Sequence, residues 1–508
     1  MNIDLKSIFK VISAVAKTEK TPVYIVGGFV RDYLMGREQS KDVDFVVVGS
    51  GLAFAKALDK KMKEAGSLVE FADFDTARYV FEDGLTIEFA GARAEKYHVD
   101  SRKPAVAVAT LEHDLQRRDF TVNAMAIAVA DFVKMSSRDV TRRGISVPSS
   151  ERTEISRRFA PRNDKCVIVD LFNGQKDLED KILRTPLDPD ITFSDDPLRM
   201  MRAIRFAAQL NFSIEPKILE AIHRNRERIK IVSAERVQEE LMKLMATDAP
   251  GNGLVLMFQT HIMDLVLPEV AALDGVEEIW GHQHKNNLVH TFKVVDNIAV
   301  RSDKPLLRLA GLFHDIGKTG TKHFASGVGW TFHGHEHLGK KLVSELMKRL
   351  RFSINDIKYI AKLVRYHQQP IALMDEGITD SAVRRLVVNL GDYLEDLLIL
   401  GVSDITTGNP TKLEKRQKNY EHLRARIDEV LEKDKLRAFQ SPFRGDEIMS
   451  ACGLKPGPTV GKIKEAIEEA ILEGEISNEY DDAKKYFEKI KDEYMRQALD
   501  WEKIKNKK

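Results

Sequence analysis

The hydrophobic period of this chain changes near residue 192, and that change limits what it can fold into. Before it, short runs such as PVYIV and VDFVVV read as strands, and YVFEDGLTIEF places two runs around Asp83-Gly84 in the manner of a hairpin. After it, apolar residues recur at helical spacing almost throughout, in DPLRMMRAIRFAAQL, AERVQEELMKLMATD, LLRLAGLFHDIGK and KIKEAIEEAILEGE. The pattern predicts an α+β chain: a small mixed head followed by a long helical body. The 508 residues are too many for one core, so roughly three or four domains are expected. MNIDLKSIFKVISAVAKTEK reads as an amphipathic helix ending before Pro22.

Composition excludes several classes. The formal net charge is +1 although 31% of residues are charged, so any nucleic-acid surface must be local. Two cysteines, Cys166 and Cys452, offer neither a disulfide framework nor a thiolate zinc site. No apolar run approaches a membrane span, and the N-terminus lacks a secretory pattern, so a cytoplasmic protein without membrane or evident protein partners is expected. Residues 131–165 hold nine Lys/Arg against five Asp/Glu with little apolar periodicity, and are expected to be a solvated insertion or an extra polyanion contact.

The stretch YIVGGFVRDYLMGREQSKDVDFVVV carries the first candidate site. Residues two apart share a strand face, so Asp42 and Asp44 can share divalent cations through oxygen. Asp-x-Asp alone more often describes an exposed strand edge. Gly27-Gly28 between a strand and a helix starting near Val30 would leave backbone N–H groups open to an anion. Arg31, one turn inside, can reach the same phosphates, whereas Asp32 better suits orienting a neighbour. Glu88, in LTIEF, is either a third carboxylate on the same sheet or a hairpin surface charge. In QRRDFTVNAMAIAV, Arg118 is suited to a triphosphate and AMAIAV suggests a helix packing into the head.

SDDPLRMMRAIRFAAQL places Asp196 and Arg199 three apart, neighbours on one helix face. Asp accepts from an amino group and Arg donates to a ring nitrogen, the complement of the Watson–Crick edges of cytosine and adenine. Guanine and uracil present the opposite pattern. Arg202 and Arg205 extend a basic stripe that can stack on a base or touch phosphate. An intrahelical salt bridge on a solvated face is the plainer reading of an isolated Asp-x-x-Arg.

Together, GGFVRD, DVD, RRDFTVNAMA and DDPLRMMRAIRF resemble the motifs of class II tRNA nucleotidyltransferases, the CCA-adding enzymes, and DLFNGQKDLEDKILRT resembles their flexible head–neck motif. The resemblance implies a polymerase-β-like head with Mg²⁺ on Asp42 and Asp44. It implies nucleotide contacts from Gly28, Arg31 and Arg118, and a template formed by Asp196 and Arg199 with Arg202 and Arg205 beside them. The partners implied are tRNA, CTP and ATP. The base-reading motif departs from the family's usual Glu-Asp by having Asp195-Asp196. Bacterial poly(A) polymerase is the nearest rival, but the arginine-rich signature of that branch is missing from VVVGSGLAFAKAL. A partial enzyme adding only CC or only A fits the same motifs. The rival from another class is a stand-alone phosphohydrolase whose head merely binds tRNA, and the intact Asp42 and Asp44 argue against it.

The second candidate site is histidine-rich. His282, His284, His290, His314 and His323, then His333, His335 and His337, fall in a helical region. Imidazole with carboxylate suits Mg²⁺, Mn²⁺ or Ni²⁺. The set resembles the HD phosphohydrolase domain, which implies His290, His314, Asp315 and Asp404 as metal ligands, with His335 and His367 as accessory ligands or phosphate contacts. The reaction implied is hydrolysis of a 2′,3′-cyclic phosphate or phosphomonoester. The expected division is a head at 1–190, a helical neck at 191–280, an HD domain at 281–410 and a helical, tRNA-binding tail at 411–508. In that tail GLKPGPTVGKIKEAIEEAILEGEIS reads as a Gly/Pro turn opening a helix.

Overall fold

The computed structural model describes residues 5–37, 41–62, 66–98, 101–139, 168–276, 278–279, 282–283, 286–374, 379–434 and 441–505. His284, Cys166 and residues 140–165 of the basic insertion lie outside the described residues. The chain forms two compact units, Met1–Pro268 and Glu269–Lys508. Among the described residues no helix is long and apolar enough to cross a membrane.

The first unit begins with the helix Leu5–Thr18, whose Ile8, Phe9, Ile12 and Val15 form one buried stripe. That stripe covers a seven-stranded sheet ordered Gly66–Phe71, Thr76–Phe81, Thr86–Gly91, Asp42–Val47, Val23–Val26, Met125–Ala128, Ile168–Asp170. Phe9 stands edge-on to Phe29, Phe45 and Phe132 with ring centroids 5.1–5.7 Å apart, a geometry aromatic quadrupoles favour. Thr76–Phe81 and Thr86–Gly91 form the expected hairpin, while Asp42–Val47 pairs with Thr86–Gly91 in parallel.

Two local expectations are corrected. AMAIAV contributes a strand, Met125–Ala128, paired antiparallel on both sides. A short run buried on both faces has no period to separate strand from helix. The helix starts at Val129 and continues to Asp139, so the beginning of the 131–165 insertion is helical rather than loop. Phe132 anchors it against Phe9, Phe29 and Tyr33.

Beyond the sheet the first unit is helical. Leu198–Leu210 is buried on most of its circumference, and Pro189–Asp195, Ala234–Met245 and Pro250–Gln259 pack around it. In the second unit, Asn287–Ala299, Pro305–Phe313, His335–Arg349, Ile354–Tyr366 and Leu394–Ser403 surround the histidines. Helices Gly445–Cys452, Pro458–Leu472 and Tyr480–Lys505 enclose a separate core of Phe443, Ile448, Ile463, Ile467 and Phe487. Pro458 stands at the start of its helix, as the Gly/Pro turn predicts.

Candidate functional sites

Strand alternation turns Asp42 and Asp44 outward and Val43 and Phe45 into the core. Sheet register sets Asp44 beside Glu88, and Glu88 beside Arg78, which holds it at 2.8 Å. Glu88 therefore shares the row of Asp44 but already has a cation. Asp44 has exposed surface, yet it lies among enough protein that desolvation raises its carboxyl above the ordinary range. Arg118 opposes that shift, and Glu88 and Asp42 reinforce it. Carboxylates that raise one another are relieved by a cation, so this group fits oxygen-ligated Mg²⁺.

Across from them the chain leaves Val23–Val26 through Gly27, whose φ of +74° favours glycine. A Cβ at Gly27 would lie 3.1 Å from Arg118 Nη1 and 3.5 Å from Asp44 Oδ2. The following helix is Gly28–Leu34, starting two residues before Val30 and only seven residues long. The positive charge facing this corner comes from Arg118. Its Nε and Nη2 rest on the buried Asp114 at 3.3 and 3.1 Å, while Nη1 faces Gly27 and Asp44. Asp114 was missed in the sequence, although its spacing to Arg117 and Arg118 is that of facing positions on a helix.

Arg31 does not face open solvent. It is 4% exposed and donates to Asp32 at 2.8 and 2.9 Å and to Asn123 Oδ1 at 2.7 Å. Asn123 donates to Asp119 Oδ1 at 3.1 Å, and Asp119 Oδ2 accepts from Arg202 Nε at 2.9 Å. Burial alone would raise the Asp119 carboxyl; Arg202 and Asn123 reverse this and hold it at about 2. Arg202 also lies 3.7 Å from Glu240, which pairs with Arg205 at 2.6 Å. Arg205 is buried on Glu240 and Gln209, not presented as a continuation of a surface stripe. The guanidiniums of Arg31, Arg202 and Arg205 gather 3.9–5.4 Å from the centre of the Phe206 ring. GGFVRD, RRDFTVN and DDPLRMMRAIR are thus one hydrogen-bonded frame.

Asp196 and Arg199 are arranged differently from an i,i+3 pair on one face. Asp196 has extended backbone between two helices and accepts from the Leu198 N–H at 3.2 Å. Pro197 ends the preceding helix here, and Asp196 caps the next. Its carboxylate is held bidentately by Arg236 at 2.7 and 3.3 Å. Arg199 donates to the Arg117 carbonyl at 2.7 Å and the Thr192 carbonyl at 3.4 Å. Arg236 was not anticipated, because a partner 40 residues away leaves no local pattern.

In the second unit, His290, His314, His335 and His367 converge on Asp315 and Asp404. His290 Nε2 lies 2.9 Å from Asp404 Oδ1 and 3.7 Å from Asp315 Oδ2. His314 Nε2 lies 3.2 Å from Asp315 Oδ2 and 3.5 Å from Asp404 Oδ1. These contacts to His314 allow charge attraction but fall outside hydrogen-bond geometry, so its buried Nε2 has no hydrogen-bond partner. Burial disfavours the His314 imidazolium, but Asp315 and Asp404 overcome it and push the ring up to about 10. Burial and the His314 charge take His367 down to about 4. The Asp315 carboxyl, which burial would raise, is held well below its usual range by His314, His335 and Lys318. An orphaned buried nitrogen facing two carboxylates fits a divalent cation. Gly317 keeps the approach close: a Cβ there would meet the His335 carbonyl oxygen at 2.1 Å. His323 lies on the short hairpin of His323–Ala325 and Gly329–Thr331 and is not among the clustered ligand groups of the described residues.

The fold and sites define a nucleotidyltransferase head joined to a helical neck, with an HD-type histidine–aspartate centre in the second unit. Residues 23–184 match the Poly A polymerase head domain family, 211–273 the Probable RNA and SrmB-binding site of polymerase A, and 287–398 the HD domain. The A-adding tRNA nucleotidyltransferase of Deinococcus radiodurans is 30% identical over 89% of this chain and 92% of its own. The CC-adding tRNA nucleotidyltransferase of Thermus thermophilus is 29% identical over 89% and 90%, and the Multifunctional CCA protein of Pseudomonas fluorescens is 31% identical over 68% and 74%. The chain belongs to the tRNA nucleotidyltransferase family. Its fold is that of the Bacillus stearothermophilus CCA-adding enzyme solved with CTP, at a TM-score of 0.62 and 19% identity over 97% of this chain and 100% of the other. The Thermotoga maritima CCA-adding enzyme complexed with tRNA gives 0.53 and 20% over 96% of each.

Proposed function

We propose that this enzyme builds or repairs the 3′-terminal CCA of tRNA from CTP and ATP, in the cytoplasm where those substrates meet. The observation that carries the reading is the frame through Asn123, Asp119 and Arg202. It ties the Gly27–Arg31 corner to the helix that follows Asp196. Asp42 and Asp44 hold Mg²⁺, with Glu88 in reserve. Bound there, the metal would supply Lewis-acid chemistry for attack of the tRNA 3′-hydroxyl on the α-phosphate with release of pyrophosphate, and these carboxylates would hold it in place. Arg118 neutralises the triphosphate beside Gly27 and Gly28, and Arg31 and Asp119 fix the parts around it. Asp196 accepts from the amino group of cytosine or adenine, and Arg199 donates to the ring nitrogen. An ionised carboxylate has about four acceptor positions, so Asp196 can take a base while Arg236 stays in place. Arg202 and Arg205 support this template from the frame.

The division into a head at 1–190, neck at 191–280, HD domain at 281–410 and tail at 411–508 belongs to this reading. His290, His314, Asp315 and Asp404 hold a divalent cation (Mg²⁺, Mn²⁺ or Ni²⁺), with His335 and His367 beside it. The chemistry proposed is cyclic-phosphate or phosphomonoester hydrolysis at damaged tRNA ends.

The test is incubation with tRNA lacking CCA and with CTP and ATP, alone and together, followed by end sequencing. Extension by CCA with both nucleotides is expected; no extension of any tRNA end overturns the reading. A second reading, partial addition, is supported by the names of two relatives matching 89% of the chain, an A-adding and a CC-adding tRNA nucleotidyltransferase. It predicts AMP addition only to tRNA ending in CC, or arrest after CC. For the HD centre, 2′,3′-cyclic nucleotide hydrolysis is assayed with each cation, and no turnover with any of them removes the hydrolase assignment.

A further inference from the structure

Of the imidazoles that converge on Asp315 and Asp404, His290 is oriented differently from the rest. His314, His335 and His367 each donate from Nδ1 to the carbonyl three residues earlier, Gly311 at 2.7 Å, Phe332 at 2.8 Å and Val364 at 2.7 Å. A carbonyl only accepts, so these rings keep a proton on Nδ1 and turn Nε2 toward the carboxylates. His290 Nδ1 instead meets the Thr406 hydroxyl at 2.8 Å. A hydroxyl rotates and can accept or donate, so it fits either tautomer of the ring.

Thr406 stands on the same short segment as Asp404. Helix Leu394–Ser403 ends just before that segment, and Ile405 between the two is buried. The segment thus takes both nitrogens of one ring: Asp404 Oδ1 lies 2.9 Å from Nε2, and Thr406 Oγ1 lies 2.8 Å from Nδ1. Asn297, farther along the His290 helix, donates to the Ser403 carbonyl at 2.8 Å and pins the segment to that helix again. Either placement of the ring proton satisfies this bracket. With the proton on Nε2, the ring donates to Asp404 and Nδ1 accepts from Thr406. With the proton on Nδ1, the ring donates to Thr406 and Nε2 offers its lone pair to a cation. A carbonyl in the place of Thr406 would forbid the former.

We propose that Thr406 is a positioning residue of the HD centre, whose hydroxyl lets His290 serve Asp404 as a donor before a divalent cation binds and serve the cation as a ligand afterwards. The proposal rests on the reading that His290, His314, Asp315 and Asp404 hold that cation. The proton balance closes within the ring. One proton leaves Nε2, one arrives at Nδ1, the Thr406 hydroxyl turns from donor to acceptor, and the charge of the imidazole is unchanged. His290 is therefore the ligand that joins and leaves, while the carbonyl-bound rings stay set. Without the hydroxyl, Nδ1–H has no acceptor and the ligating tautomer loses its support.

The test follows Mn²⁺ binding by the full-length Asp42→Asn/Asp44→Asn protein, whose head carboxylates are silenced. Electron paramagnetic resonance of free Mn²⁺ gives the dissociation constant, and His290→Gln marks the binding that depends on this ring. Thr406→Val keeps the shape and removes the hydroxyl; it should weaken that binding by about 10- to 100-fold, and Thr406→Ser should restore it. Helical circular dichroism reports the fold, and Thr406→Ala takes the place of the valine variant if valine does not fit. Histidine ¹⁵N resonances recorded with and without Zn²⁺ read the tautomer directly, with the His290 proton expected on Nε2 without the ion and on Nδ1 with it. Undiminished Mn²⁺ affinity in the folded hydroxyl-free variant, a serine variant as weak as the valine one, or a proton on Nδ1 in both spectra overturns the role of Thr406. A parent that binds no Mn²⁺, or binds it unchanged after His290→Gln, overturns the cation reading itself, so the two failures are distinct.

Discussion

Asp119→Asn tests the frame that joins the corner to the neck. Asp119 is buried, and Arg202 and Asn123 bring its carboxyl from 3.8 to about 2. That change corresponds to roughly 2–3 kcal/mol favouring the charged, folded form. For a unit of this size, each kcal/mol moves the melting temperature by about 2–4 °C, so a loss of roughly 4–12 °C is expected. The sign with pH follows from the direction of the shift. Because the folded carboxyl lies below its unfolded value, the stabilisation is complete above about pH 4 and is lost as pH falls toward 2. The gap between wild type and variant should therefore be widest near neutral pH and should close in acid. Trp280, Trp330 and Trp501 all follow residue 268, so tryptophan fluorescence reports the second unit and calorimetry is needed for the first. A first-unit transition unmoved by the substitution, or a gap that widens in acid, refutes the argument.

Other outcomes bear on the sites. Asp44→Asn should abolish nucleotide incorporation while raising melting temperature without Mg²⁺ at neutral pH, because the raised Asp44 carboxyl makes its charge a folding cost; equal or lower stability in thermal scans contradicts this. Asp42→Ala should likewise abolish incorporation but leave HD hydrolysis intact, and normal CMP and AMP addition removes the metal assignment. Arg199→Ala should admit UTP or GTP or stop all addition; unchanged selectivity in single-nucleotide assays ends its template role. Arg236→Ala removes both guanidinium contacts to Asp196, a loss of roughly 1–3 kcal/mol, and should raise KM for CTP and ATP by about 5- to 150-fold; unchanged KM values show that Asp196 needs no such partner.

What was legible in the sequence was what local spacing encodes. Asp42 and Asp44 share a face because strand side chains alternate, and His314-Asp315 follows an apolar helix that buries it. Asp196 and Arg199 are expected on one helix face, but Pro197 opens the second of two helices, which leaves Asp196 on extended backbone between them with Arg236 as its partner. AMAIAV failed for a different reason: a buried central strand and a buried helix segment look alike over so few residues. Asp114 had a readable helical spacing and was overlooked. Glu240 and Arg236 had no such signal, since their pairs span 35 and 40 residues.

The arginines show why residue type and motif did not by themselves assign roles. Arg31, Arg118, Arg202 and Arg205 are equally suited to phosphate as chemical groups. Burial separates them. Arg31 and Arg205 satisfy their guanidiniums on Asp32, Asn123, Glu240 and Gln209, and leaving those acceptors would strand buried charge. Arg118 keeps Nη1 turned toward Gly27 and Asp44 while Asp114 fixes its other nitrogens. Arg202 is anchored to Asp119 and still lowers the Asp44 carboxyl through space. The frame thus spends two arginines on rigidity and directs the charge of the other two toward the carboxylates. On the proposed reading, a triphosphate entering between them would meet a preorganised field, with little side-chain ordering left to complete on binding.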